Sequence, residues 1–204
     1  MIFVLAGVNG AGKSSILGRS VLAKGSEYFN PDEAARAHLR DNPSCTQQLA
    51  NVHAWRRGFD LLVQAIDHDR NWAFETTLGG NKITQQLMRA TELGRELRIW
   101  YCGLESQDLH LERVAARVQS GGHDIPEEMI QRRWQASRAN LVRLIPGCTE
   151  LRVYDNSAPL INGRPQPQLL FHLDKGAFVT PPHQDTPDWA RPLATAAIHA
   201  CQGR

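Results

Sequence analysis

The sequence predicts an α/β fold, with a parallel sheet, helices on both of its faces and a small C-terminal β-hairpin and tail. Short apolar runs of strand length alternate with longer segments of helical periodicity, the pattern of parallel strands joined by crossover helices. Strands are expected at residues 2–6, 27–29, 72–74, 97–103 and 151–154. A hairpin is expected over 169–179, turning at Asp174-Lys175-Gly176.

The helical segments carry start and stop signals. Asn30 is predicted to cap a helix that begins at Pro31, because asparagine caps well and proline fits the first helical position. Ser44 is predicted to cap a long helix that reaches about Asp69. From Pro181 the tail is rich in proline and polar residues, which leaves a surface arm and a docked short helix as alternatives. Other helices are expected from the first loop to about residue 23, and over 81–93, 107–119 and 126–144.

Composition and charge argue against several classes of protein. Twenty-three Lys and Arg face 21 Asp and Glu, which gives a formal net charge of +2 without a basic stripe. Nucleic-acid binding is therefore not expected. No run approaches the roughly 18 apolar residues of a membrane span, and the apolar start is too short for a signal peptide. Four cysteines without a C-x-x-C pair fit reduced thiols, so a cytoplasmic protein is expected.

The loop after the first strand matches the P-loop pattern G-x-x-x-x-G-K-[ST]. Its glycines allow the backbone to curl so that N–H groups point at phosphate oxygens, and the following helix adds its positive dipole end. Lys13 would reach the β- and γ-phosphates and Ser14 would ligate Mg²⁺, so ATP and Mg²⁺ are the expected cofactors. The predicted nucleotide-binding residues are Gly7, Val8, Asn9, Gly10, Ala11, Gly12, Lys13, Ser14 and Ser15.

Other motifs narrow the class of P-loop protein. The guanine signature N-K-x-D is absent, since Asn81-Lys82 continues as Ile83-Thr84. No apolar strand is expected to end in a plain Walker-B aspartate, because the predicted strands end at Asn30, Glu75 and Gly103. These features disfavour a GTPase or a motor ATPase and favour a kinase-like arrangement.

Acidic and hydroxyl residues follow two further strands, whose carboxyl ends should meet at the ligand-binding edge of the sheet. Asp32 is a candidate general base for the acceptor hydroxyl, although an acidic residue also favours the first turn of a helix. Glu75, Thr76 and Thr77 follow the strand at 72–74 and are predicted to bind substrate. A capped loop is the alternative interpretation of this segment.

Arginines cluster on two predicted helices that we expect to form a lid over residues 107–135. Arg113 and Arg117 are four residues apart and share a helix face, while Arg133 lies on the next helix. Arginines from a mobile lid can stabilise the charge of a transferring phosphoryl group, and the glycines before His123 would permit closure. A solvated basic face is the alternative. The five tryptophans are interpreted as packing residues.

Four segments together resemble the zeta toxin family of P-loop kinases. They are 6–14, Phe29-Asn30-Pro31-Asp32-Glu33, Phe74-Glu75-Thr76-Thr77-Leu78, and the stretch from Arg113 to Arg133 that contains Gly121-Gly122-His123. The first segment is common among kinases, whereas the order and spacing of all four are more specific. The resemblance covers about residues 1–155, and it is strongest to chromosomal members that carry G-G-H.

The resemblance implies transfer of phosphate from ATP to a hydroxyl of a nucleotide sugar, with UDP-N-acetylglucosamine as the family's known acceptor. It implies that Asp32 is the base and that Glu75 and Thr77 contact the acceptor. Arg117 and Arg133, and next Arg113, would act as catalytic lid residues. His123 stands where a lid arginine might be expected, and we assign it to substrate binding with Thr76.

The family also implies a partner, because a small antitoxin often blocks the nucleotide site. We expect no fused N-terminal antitoxin domain, since the chain starts at its first strand, so a separate antitoxin is a candidate partner beside the small nucleotide-like acceptor. The expected organisation is one kinase domain over 1–204, with a core at 1–155 and a hairpin and tail at 156–204 of unassigned role. Polynucleotide or other small-molecule kinases and a non-enzymatic ATP-binding switch are the alternatives.

Overall fold

A computed structural model describes residues 1–13, 28–122, 124–161 and 165–203 of the chain. Within these residues, seven strands form a single sheet in the order β2-β3-β1-β4-β5-β6-β7. The helix predicted from the P-loop to about residue 23 lies outside the described residues. The strands are β1 (Ile2–Ala6), β2 (Tyr28–Phe29), β3 (Trp72–Thr76), β4 (Leu97–Gly103), β5 (Glu150–Asp155), β6 (Gln168–Asp174) and β7 (Ala177–Thr180).

The first five strands run parallel, as predicted. Strand β1 lies in the middle, where Ile2 pairs with Trp72 of β3 on one side and with Leu97 of β4 on the other. Since parallel strands end at the same edge, the segments that follow β1, β2 and β3 are neighbours there.

The hairpin at the end of the sheet is also confirmed. Strands β6 and β7 pair antiparallel, and β6 extends the sheet by pairing antiparallel with β5. Lys175 and Gly176 form the turn with φ angles of 49° and 81°, at the position that the sequence indicates.

Helices cover the sheet and follow the predicted order closely. Beside them, a short 3₁₀ helix spans Ile145–Gly147. The helices are α1 (Pro31–Asp41), α2 (Gln47–Asp67), α3 (Asn81–Glu92), α4 (Gln107–Gln119), α5 (Glu127–Leu144) and α6 (Arg191–Gln202).

The predicted caps have different outcomes. The Asn30 side chain accepts hydrogen bonds from the backbone N–H groups of Asp32 and Glu33, at 2.8 and 3.2 Å, so this cap is confirmed. The prediction for Ser44 is wrong, because α2 begins later and its cap is Thr46, whose hydroxyl accepts from Leu49. A turn precedes the cap, in which the Cys45 N–H bonds the Asn42 carbonyl.

The C-terminal tail contains a docked helix, so the surface-arm alternative is wrong for residues 191–202. Leu193, Ala194 and Ala197 of α6 are buried, as expected for an apolar face at helical spacing. Trp189 precedes the helix and packs on Gly103 of β4, so closely that a Cβ at position 103 would lie 2.3 Å from the indole ring.

The core occupies both faces of the sheet. Ile2, Val4 and Ala6 of β1 belong to the main hydrophobic cluster, whereas Phe3 and Leu5 pack in a smaller cluster on the opposite face. Alternate residues of a strand point to opposite faces, so β1 is buried on both sides. No helix in the described residues is long and apolar enough to cross a membrane.

Candidate active site

The P-loop adopts a conformation that requires glycine. Gly7 and Gly10 have φ angles of 144° and 83°, which L-residues rarely adopt. A Cβ at Gly7 would lie 2.2 Å from the Cys102 carbonyl oxygen, and one at Gly10 would lie 2.8 Å from the His110 carbonyl oxygen. The loop is therefore pressed against β4 and α4, and a side chain at either position would collide with the backbone of these elements.

Hydrogen bonds from neighbouring strands fix the loop in place. The Ala11 carbonyl accepts from the Cys102 thiol and from the Asn156 amide, both at 2.9 Å. The Gly7 N–H donates to the carbonyl of Thr76, the last residue of β3. Burial raises the pKa of Cys102 to about 12, which keeps it a neutral thiol that can donate. Asn156 was missed by the sequence analysis; its place directly after a strand could have identified it.

Lys13 lies in a polar network that joins three strand ends. Its ammonium donates to the Gly7 carbonyl at 2.7 Å and lies 3.4 Å from Glu75 Oε1. Glu75 Oε2 accepts from the Tyr28 hydroxyl at 3.1 Å and from the Asn30 amide at 3.2 Å. Burial, with the Glu75 carboxylate nearby, raises the pKa of Tyr28, so its hydroxyl stays protonated. Both carboxylate oxygens of Glu75 therefore have partners, and these contacts hold the side chain in one position.

The position of Asp32 is compatible with both roles considered for it, general base and helix start. It lies in the first turn of α1 and its side chain is 43% exposed, against 13% for Glu75. The Asn30 amide group bonds both Glu75 and the Asp32 backbone, which places Asp32 next to the network around Lys13. The Asp32 carboxylate lies 3.9 Å from the Arg117 guanidinium.

Thr76 and Thr77 form local turns after β3. Their hydroxyl oxygens accept from the backbone N–H groups of Leu78 and Gly79, at 3.1 and 3.3 Å. This geometry agrees with the capped-loop interpretation of the segment. Each hydroxyl can still donate its own proton, so the turns leave substrate binding open.

The structure separates the predicted arginines. Arg133 donates to the Asn9 side chain of the P-loop at 2.8 Å, and burial lowers its pKa without removing its charge. Arg117 approaches Asp32 and Arg113 donates to the Ala158 carbonyl after β5, and neither of these two arginines lines the cavity beside Lys13. Ser14, Ser15 and His123 lie outside the described residues.

A cavity of about 670 Å³ brings part of the predicted site together. Several residues that the sequence analysis did not select also line it. Trp55 is among them; it stacks on Phe59 and is 42% exposed, so its interpretation as a packing residue stays a prediction. The predicted residues that line the cavity are Asn9, Lys13, Asp32, Glu75, Thr76, Thr77 and Arg133, and the others include Phe29, Trp55, Phe59, Lys82, Met129 and Arg132.

No group of three or more His, Cys, Asp or Glu side chains in the described parts of the chain is arranged to hold a metal ion. A magnesium ion bound through a nucleotide needs few protein ligands. Asp32, Glu75 and Asp124 are the carboxylates that line the cavity, and Glu75 lies 3.4 Å from the Lys13 ammonium.

His110 supports the P-loop from α4 and gives it a pH-dependent stability. It is 1% exposed, and its Nδ1–H donates to the Asn9 carbonyl at 2.7 Å. Burial, helped by the positive charges of Lys13, Arg113 and Arg138, lowers the pKa of His110 to about 4. The unfolded chain, with an ordinary pKa of about 6.5, takes up the proton first, so stability should fall as the pH falls from about 6.5 to 4.

We expect this histidine to contribute up to about 3 kcal/mol to the pH dependence of the unfolding free energy. Denaturant unfolding of the wild type and of His110→Gln between pH 4 and 7 measures it. The variant should show the flatter profile. Parallel profiles would show that His110 does not titrate in this window.

Comparison with known proteins places the chain in a family. Residues 2–144 match the AAA_33 family, described as an AAA domain. The match spans more than half of the chain, and the chain therefore belongs to this family. An uncharacterized protein of Haemophilus influenzae is 33% identical over 134 residues, which cover 63% of this chain and 88% of that protein.

Solved structures share the fold at low identity. A chain of the AvrRxo1-ORF1:ORF2 complex gives a TM-score of 0.69 at 13% identity, over 100% of this chain and 75% of that one. The same complex with ATP gives 0.64 at 16% identity, over 100% and 76%. A structure of the PezAT chromosomal toxin-antitoxin system of Streptococcus pneumoniae gives 0.57 at 12% identity, over 100% and 88%. The predicted kinase-like P-loop fold is confirmed, and the narrower assignment to the zeta toxins stays a prediction.

Proposed function

We propose that this member of the AAA domain family is a kinase that transfers the γ-phosphate of ATP to a hydroxyl of a small nucleotide-like acceptor. One observation carries the proposal: a single cavity contains the P-loop lysine, a solvent-accessible carboxylate and a buried arginine, which are Lys13, Asp32 and Arg133. These are a phosphate-binding cation, a candidate base and a candidate stabiliser of transferring charge.

The described residues fit the phosphates of ATP. The loop over 7–13 would hold them through its backbone N–H groups, and the Lys13 ammonium, now on the Gly7 carbonyl, lies beside the loop. The structure of AvrRxo1-ORF1:ORF2 with ATP, which shares the fold, supports this assignment. Mg²⁺, which we assign to Ser14 by the P-loop pattern, would supply charge neutralisation between phosphate oxygens.

The environments of the two carboxylates support different roles. Glu75 has both oxygens in contacts with Lys13, Tyr28 and Asn30, which suits a fixed anchor for the lysine and for an acceptor hydroxyl. Asp32 is more exposed, and its carboxylate lies 3.9 Å from the Arg117 guanidinium. We therefore assign proton removal from the acceptor hydroxyl to the Asp32 carboxylate, with Glu75 and Thr77 as acceptor contacts.

Residues 107–135 are the proposed lid, and its arginines should affect rate more than ground-state binding. Arg117→Ala and Arg133→Ala should each lower kcat about tenfold or more, because charge on the transferring group is greatest in the transition state. Apparent ATP affinity should fall less. Replacement by lysine should restore activity only in part, since a point charge lacks the planar two-donor geometry of arginine.

Arg113→Ala is the matched control for this prediction. It removes the same charge from the same helix as Arg117, but its guanidinium bonds the Ala158 carbonyl, whereas that of Arg117 lies 3.9 Å from the Asp32 carboxylate. Steady-state kinetics should show a smaller change in kcat than for the other two variants. Wild-type rates for Arg117→Ala and Arg133→Ala would instead assign the cluster to a solvated basic face.

We infer an acceptor of the UDP-amino sugar type, as in the zeta toxins, from the four motif segments. A separate antitoxin is the corresponding candidate partner. It is supported by two solved relatives of the same fold, which are an ORF1:ORF2 complex and a toxin-antitoxin system.

Mass spectrometry of a metabolite extract incubated with the protein, ATP and Mg²⁺ tests the function directly. One species should gain a single phosphate, and an identical reaction with Lys13→Ala should not produce it. If the protein binds ATP but no species gains phosphate, the chain is a nucleotide-binding protein without kinase activity. Phosphate gained by nucleic-acid ends would identify a polynucleotide kinase.

A further inference from the structure

Buried donors hold two carbonyl groups of the P-loop. The Asn9 carbonyl accepts from the His110 ring at 2.7 Å, and the Ala11 carbonyl accepts from the Cys102 thiol and the Asn156 amide, both at 2.9 Å. All three donor residues are at most 1% exposed. The orientation of the loop backbone is therefore fixed at these two peptide groups.

The direction of each carbonyl sets the direction of the next N–H group. In a planar trans peptide group, the C=O of one residue and the N–H of the following residue point in opposite directions. The Gly12 N–H thus points away from the donors of the Ala11 carbonyl, and the Gly10 N–H points away from the donor of the Asn9 carbonyl. Ala11 is buried whereas both glycines are partly exposed, so their N–H groups face the open side of the loop.

Both glycine N–H groups are available to a ligand. In the described parts of the chain, neither donates to a protein acceptor, whereas the Gly7 N–H donates to the Thr76 carbonyl. Gly10 and Gly12 have φ angles of 83° and 79°. Successive N–H groups in a loop with such angles form a concave site for an anion.

Stability alone does not explain the asparagine at position 156. Its Oδ1 is buried and has no hydrogen-bond partner among the described residues. A buried acceptor without a partner destabilises a fold, and an apolar residue of similar shape would avoid this loss. The Ala11 carbonyl would still have the Cys102 thiol as a donor. The amide is therefore better explained by the hydrogen bond that it gives to the loop.

The C-terminal part of the chain sets the position of Asn156. This residue directly follows β5, and its backbone N–H donates to the carbonyl of Gly103, the last residue of β4, at 3.1 Å. Trp189, which precedes α6, packs on the same glycine. Asn156 and Trp189 lie beyond residue 144, where the family match ends. A contact with the P-loop thus comes from outside the matched segment.

We propose that Asn156 is a positioning residue for phosphate binding, which holds the Ala11 carbonyl so that the Gly12 N–H points at the phosphates of the bound nucleotide. The inference rests on the proposed function, because it takes the P-loop as the ATP site. Cys102 holds the same carbonyl and should retain part of the effect.

Asn156→Leu should change binding and stability in different ways. Its affinities for ADP and for inorganic pyrophosphate, both with Mg²⁺, should fall by a similar factor of about three- to thirtyfold, as expected when one hydrogen bond to a charged group is weakened. The midpoint of denaturant unfolding should stay at the wild-type value or rise, because the unpaired Oδ1 is removed. Asn156→Ala should lose the same affinity, although its smaller side chain lowers stability.

Asn140→Leu is the matched control. Asn140 is 4% exposed, and its amide donates at 2.8 Å to the Leu78 carbonyl, which lies outside the P-loop. This variant should be less stable than the wild type, because the carbonyl loses its donor. The folded protein should bind pyrophosphate with wild-type affinity in titration calorimetry.

Amide signals report the orientation of the loop directly. In protein labelled with ¹⁵N-glycine, pyrophosphate should move the N–H signals of Gly10 and Gly12 downfield in the NMR spectrum of the wild type. In Asn156→Leu the response of Gly12 should be smaller, whereas Gly10, whose peptide group is held by His110, should keep its response.

Equal affinity of the wild type and Asn156→Leu for pyrophosphate, or an unchanged Gly12 response in the variant, would overturn the inference and leave the kinase proposal standing. Conversely, Asn156-dependent binding in a protein that transfers no phosphate would support the inference while the kinase proposal fails. A wild type that binds neither ADP nor pyrophosphate would refute both.

Discussion

Lys13→Ala should reduce phosphoryl transfer to the level of a reaction without protein. The substitution removes the ammonium that would bind the β- and γ-phosphates, and no other described lysine lies on the loop. The fold should survive, because the glycines remain and Glu75 keeps the Tyr28 and Asn30 donors. Transfer to the acceptor found by mass spectrometry, or ATP consumption before that acceptor is known, provides the measurement.

Lys175→Ala is the matched control for the loss of a lysine. Lys175 is exposed in the β6–β7 turn, far along the sheet from β1, so its removal should leave the rate unchanged. Thermal unfolding of both variants should show that each is folded. Turnover by folded Lys13→Ala at the wild-type rate would remove the P-loop from the mechanism.

Asp32→Asn should lower the rate of transfer by roughly two to four orders of magnitude, the usual contribution of a general base. ATP affinity should stay within a few-fold, because the phosphates would be held by the P-loop. The cap of α1 should be preserved, since it uses the Asn30 side chain and the Asp32 backbone N–H. Loss of the first-turn charge should cost about 0.3–1 kcal/mol of stability.

Glu33→Gln separates the helix effect from catalysis. Glu33 is the other acidic residue in the first turn of α1, and it does not line the cavity. Its replacement should cost similar stability and leave the rate of transfer unchanged. Full activity in folded Asp32→Asn, or equal loss of activity in both variants, would assign Asp32 to the helix start and not to proton removal.

Local patterns in the sequence determined the scaffold and the P-loop. Gly7 and Gly10 occupy backbone conformations that other residues rarely adopt. Their spacing before Lys13 is therefore enough to predict the conformation of the loop, because that conformation depends on neighbouring residues. The Asn30 cap also depends on neighbours within three residues. The cap of α2 was misplaced by the same kind of reasoning, because two hydroxyl residues, Ser44 and Thr46, satisfy the local rule and a turn before the helix selects the second.

Only the tertiary structure decided which side chains meet around the candidate site. Arg113 and Arg117 lie on one face of α4 by spacing, yet one bonds the Ala158 carbonyl and the other approaches Asp32. One helical turn is a rise of about 5.4 Å, which is enough to give two side chains different surroundings. The placement of α4 against the sheet sets which arginine faces Ala158 and which faces Asp32. Asn156 directly follows a predicted strand, but its contact with the P-loop and the place of Trp55 on the cavity wall depend on strand order, which brings β2 beside β3 and the end of β5 beside the P-loop.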